Sequence, residues 1–103
     1  MNYLSRYLNL LRKCKESGIT VHLVATKVLH DYAGMNDEIA RKLGFKKLPN
    51  RTILIDKNMS VKTKYETLVH EIVEMKLMEK GTKYWTAHLK ALKAEKRRNI
   101  CRP

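Results

Sequence analysis

His70, Glu71 and Glu74 stand in the order H-E-x-x-E within LVHEIVEMKLMEKG, and His88 follows in the next segment. In the related pattern H-E-x-x-H, two imidazoles at i and i+4 share one helix face and hold zinc. The glutamate between them activates the water that the zinc binds. Here a carboxylate, Glu74, takes the second ligand position. Zinc accepts two imidazoles and one carboxylate at about 2.0–2.2 Å and keeps a fourth position for water. His70, Glu74 and His88 therefore form a chemically acceptable ligand set, with Glu71 as general base. The alternative is a solvated face on which Glu71 and Glu74 pair with Lys64 or Lys76.

Two predicted helices must present these groups. The first runs from a Ser60 cap to about Lys80, where Gly81 breaks it. On its wheel Val61, Tyr65, Leu68, Val69 and Ile72 form one apolar arc. His70 and Glu74 lie about 40° apart on the other side, together with Glu71. The last helix, roughly Lys83 to Arg98, places Tyr84, Trp85, His88, Leu89, Ala91, Leu92 and Glu95 on one arc. His88 and Glu95 thus fall on the face expected to be buried, where an ionisable group needs a partner or a metal. They satisfy each other, or Gly81 folds the helix back and brings His88 to His70 and Glu74. Glu95 is then placed to hold an imidazole ring from behind. Tyr84 packs in the core or donates to an oxyanion.

The rest of the chain supplies the support. Residues 2–17 carry Leu4, Tyr7, Leu8 and Leu11 at helical spacing and stop at Gly18. Ile19–Ala25 reads as a strand, Thr26–Phe45 as irregular or helical, with Asn36 capping a helix that ends at Gly44. Arg51–Asp56 is the clearest strand and the expected docking edge for an extended peptide. Together these give a single α+β domain over residues 1–103, a small sheet packed against several helices.

Composition narrows the classes. The chain has 103 residues, 44% of them hydrophobic, enough for one modest core. No apolar run is long enough to span a membrane, and the N-terminus lacks a signal-peptide pattern. Cys14 and Cys101 form no C-x-x-C pair, which fits a reducing cytoplasm. Cys14 reads as a small buried residue. Lys and Arg number 22 against 10 Asp and Glu, a net charge of +12. Such an excess attracts nucleic acid or acidic partners, although no aromatic-interleaved basic motif accompanies it. The absence of Gln hints at a thermophile.

The segment LVHEIVEMKLMEKGTKYWTAHLKALKAE, preceded by the strand RTILID, resembles the minigluzincins, small archaeal and bacterial metallopeptidase scaffolds. The likeness covers about residues 51–98. It implies a minimal gluzincin-like (zincin) fold, a Zn2+ site with His88 as third ligand, a peptide or protein substrate, and latency imposed by the C-terminal segment. Glu74 departs from the motif's usual second histidine. The latency segment would be residues 94–103, as an extended tail or as a helix exchanged within a homo-oligomer. Cys101, as a thiolate, would bind the metal in place of water. Two readings compete with the zinc peptidase: a basic nucleic-acid-binding module, and an inactive peptidase-like interaction scaffold.

Overall fold

The computed structural model describes residues 2–29, 33–43 and 48–100. Helix α1 (Tyr3–Glu16) begins where the Asn2 side chain accepts the Ser5 N–H at 2.8 Å. It ends at Gly18, whose φ of +76° turns the chain away. Strand β1 (Thr20–Val24) follows, then one turn of 3-10 helix (Thr26–Leu29). Next come β2 (Gly34–Asn36), α2 (Asp37–Leu43) and β3 (Thr52–Asp56). The chain closes with α3 (Val61–Glu79) and α4 (Tyr84–Ile100).

The three strands form one mixed sheet in the order β1-β3-β2. β1 runs parallel to β3, with Thr20 opposite Thr52 and Val24 opposite Asp56. β2 runs antiparallel to it, with Gly34 opposite Ile55 and Asn36 opposite Ile53. This corrects the expectation that Arg51–Asp56 offers a docking edge. β3 is paired on both sides, and its nearly continuous apolar run suits a strand buried on both faces. The edges are β1 and β2.

One part of the core joins Tyr7 and Cys14 of α1, Ile53 and Ile55 of β3, and Tyr65, Leu68, Val69 and Met75 of α3. A second part gathers Leu29, Met35, Ile39 and Ala40 under Leu54, Met78 and Tyr84. Fully burying a side chain such as Leu68 or Ile53 contributes about 1.5–3 kcal/mol. Helix α3 packs on α1, α2, α4 and two strands, so it is the central element of an α+β domain. The segment 26–45, read as irregular or helical, contains the strand β2 among its described residues. The expected cap at Asn36 is present: its Oδ1 accepts the Ile39 N–H at 2.9 Å. The expected stop at Gly44 lies outside the described residues. Among the described residues, no helix is long and apolar enough to cross a membrane.

Candidate metal centre

Ser60 starts α3 by accepting the Thr63 N–H at 3.2 Å, which fixes the phase of the following turns. Tyr65, Leu68, Val69 and Met75 then face the core, and Thr67, His70, Glu71 and Glu74 are buried with them. Glu71 is 6% and Glu74 2% exposed, so the solvated-face alternative is wrong. Their helix is covered by β2 and α4 on that side.

Gly81 makes this covering possible. At φ +96° it ends α3 with the Gly81 N–H on Met78 O and the Thr82 N–H on Leu77 O, both 3.0 Å. That pair of bonds satisfies the last carbonyls and reverses the chain. Ala87 and Ala91 of α4 are completely buried. Their small side chains let α4 lie close to its neighbours, and His88 is delivered beside the α3 triad.

Three heteroatoms converge. His70 Nε2 lies 2.6 Å from Glu74 Oε2, and His88 Nδ1 lies 2.5 Å from the same oxygen. The two ring nitrogens are 3.2 Å apart. The rings stand edge to face, inclined by 71°. Tetrahedral zinc with bonds of 2.0–2.2 Å has ligand–ligand edges of roughly 3.3–3.5 Å, so the set needs to open by less than about 1 Å.

Proton counting shows what such a cluster requires. If both rings carry a proton on the converging nitrogen, both donate to Glu74 Oε2 and the two N–H groups confront each other. If either nitrogen is bare while Glu74 is ionised, its lone pair faces carboxylate oxygen at hydrogen-bond distance. A metal ion at the centre, accepting a lone pair from each of the three atoms, relieves both conflicts. The described residues thus place His70, Glu74 and His88 where they can hold a metal ion.

Glu71 sits beside this set and lines the same cleft. Its Oε1 accepts from Asn36 Nδ2 at 2.9 Å. Burial, reinforced by the Glu74 charge, pushes its pKa up to about 8, against the opposing effects of His70 and Asn36. Burial by itself lowers the pKa of His70. The Glu74 hydrogen bond and the charges of Glu71, Glu74 and Glu95 outweigh it and raise the value. Glu71 and His70 thus both hold a proton more tightly than the free groups do.

Glu95 reaches across from α4, with Oε1 3.7 Å from His70 Nδ1, so it faces the side of the His70 ring away from Glu74. Tyr84 lines the cleft and stacks obliquely on His88 at 5.5 Å between ring centroids, while also touching the second core cluster. Helix α4 continues through residues 94–100 to Ile100, so the expected tail is helical to that point. Cys101 lies outside the described residues. Cys14 is buried, and burial raises its thiol pKa.

Two residues escaped the sequence reading of the site. Asn36 stood out only as a helix cap, and Gly34 not at all. A Cβ on Gly34 would fall 2.6 Å from Thr67 Cγ2 and 3.3 Å from Glu71 Cγ, so β2 can meet α3 this closely only with glycine there. The order N-D-E in Asn36–Glu38 signals a cap and carries no sign of the contact with Glu71.

No protein-family model, curated protein or solved structure matches the chain.

Proposed function

We propose that this chain is a zinc-dependent peptidase of the gluzincin kind, as its resemblance to the minigluzincins implies. The convergence of His70 Nε2, Glu74 Oε2 and His88 Nδ1 within 3.2 Å of one another carries this reading. Two imidazoles and a carboxylate suit zinc, and the buried Glu71 beside them suits a general base. When bound, zinc supplies a Lewis acid that polarises the scissile carbonyl and acidifies water.

The chain's own groups do the rest. Glu71 takes a proton from the attacking water and returns it to the leaving amine. Glu95 steadies the His70 ring from its Nδ1 side. Ala33 and Gly34, at the start of β2, line the cleft that a peptide would enter to reach Glu71. Latency, on this reading, resides beyond His88. Removing residues 96–103 leaves every proposed metal ligand and Glu95 in place, whereas removing residues 94–103 takes Glu95 and removing all of α4 takes His88 as well.

Elemental analysis of protein purified without added metal is the first test, with about one zinc per chain expected. Hydrolysis of casein by the full chain and by a chain ending at Glu95 is the second. Metal-free protein after purification and after zinc addition would overturn the reading. Zinc without any turnover in either chain would leave the scaffold reading in its place.

One observation favours a second reading. Asp37, Asp56, Glu71 and Glu74 are buried, so the exterior is richer in cations than the net charge of +12 conveys. Such a surface suits nucleic acid. Binding to a DNA duplex that weakens steeply with salt supports it; absence of binding at low salt removes it.

A further inference from the structure

We infer that Asn36 positions Glu71 for proton transfer, an assignment that rests on the peptidase reading. Asn36 is completely buried, and both ends of its amide are engaged. Oδ1 accepts the Ile39 N–H at 2.9 Å as the cap of α2. This bond settles which end of the amide is oxygen, so Nδ2 is the end that faces α3. There Nδ2 donates to Glu71 Oε1 at 2.9 Å and approaches the Glu71 main-chain oxygen at 3.5 Å.

The consequence is an asymmetric carboxyl group. Oε1 stays an acceptor in every state of the site, because its partner has only protons to offer. Oε2 has no hydrogen-bond partner among the described residues. With one lone pair of Oε1 already engaged, Oε2 is the freer oxygen, and on this inference it carries the proton that Glu71 takes and returns. A glutamate side chain has several rotatable bonds, and in a buried setting one well-made bond removes most of that freedom.

β2 acts as the rigid carrier of this contact. Asn36 is held opposite Ile53 in the sheet, and Gly34, two residues earlier, lets the strand lie against Thr67 and Glu71. The start of α2, the edge of the sheet and the base on α3 are joined through one amide. Asn36 touches neither the metal ligands' converging atoms nor, on this reading, the substrate; it acts through Glu71.

Two variants separate positioning from folding. Asn36→Asp keeps the size and the capping acceptor but turns a donor into an acceptor towards Glu71. Asn36→Ser keeps the cap and is too short to reach Glu71. Each is expected to retain wild-type zinc content, with casein turnover (kcat) reduced about 10- to 100-fold and KM within about twofold. Unchanged kcat in both variants overturns the inference.

A second measurement works without catalysis and without a folded Asn36 variant. In proton–nitrogen NMR of the zinc-loaded full chain, the Asn36 side-chain amide should be shifted and slow to exchange. Glu71→Ala should abolish that signature while sparing the Ile39 amide. An Asn36 amide indifferent to Glu71→Ala overturns the inference. If wild-type protein cleaves no casein, with or without residues 96–103, the peptidase reading fails by itself. The NMR comparison then still decides whether Asn36 holds Glu71.

Discussion

His70 and His88 meet edge to face with their facing nitrogens 3.2 Å apart, although 18 residues separate them in the chain. Glu74 Oε2 completes the triangle at 2.6 and 2.5 Å. Two imidazoles from different helices aimed at one carboxylate oxygen form a cluster that can hold a metal ion.

Metal should therefore be read directly in stability. Zinc at about 100 times its dissociation constant adds ~2.7 kcal/mol. For a domain of this size that corresponds to a melting temperature higher by on the order of 10 °C than in chelator. Calorimetry with and without chelator checks it. His70→Ala and His88→Ala should each abolish the difference; a difference that survives both substitutions places the metal elsewhere.

Glu71→Gln tests the base. The amide keeps the shape and an oxygen for Asn36 but cannot take a proton. Zinc content should remain at the wild-type level, while casein hydrolysis falls by about 10²- to 10⁴-fold. Parallel loss of zinc and activity would instead make Glu71 a structural member of the centre.

The metal-free protein should lose stability as pH rises. Glu71 has a folded pKa of about 8 against 4.5 in the unfolded chain, so between these values the folded state holds the extra proton. Stability then falls with pH, by up to about 1.4 kcal/mol per unit. His70, also raised, acts in the same direction from about 6.5 upward. Chemical denaturation of the chelated protein at pH 5 and pH 8 measures the loss. Glu71→Gln should flatten the slope below pH 6.5, where His70 contributes little.

Gly34→Ala should destabilise the fold by about 1–3 kcal/mol, because the new methyl would lie 2.6 Å from Thr67 Cγ2. Adding Thr67→Ser removes that atom and should recover part of the loss. Denaturant midpoints of the two single variants and the double variant give the coupling. Additive losses would show that β2 yields by moving away from α3.

The helix pair that carries the candidate ligands is legible because helical spacing and a glycine stop are local signals. The i and i+4 positions of His70 and Glu74, and the break at Gly81, follow from the backbone's own geometry. β3 was legible for the same reason, as Thr52–Asp56 is a β-branched apolar run. Its central place was not, because strand order depends on which distant segments pair. β2 has only Gly-Met-Asn, too short to show alternation, and exists because β3 and α3 bracket it. Asn36 was recognised through the bond it makes three residues ahead. Its bond to Glu71, 35 residues away, leaves no trace in local spacing.

The turn at Gly81 gives an ion at this site a mechanical role as well. With His70 and Glu74 before the turn and His88 after it, coordination would staple a loop of 18 residues, much as a disulfide does. Closing a loop of that length is worth ~3 kcal/mol in chain entropy. The ion would thus clamp α4 onto α3, and its withdrawal would release the C-terminal helix before the sheet.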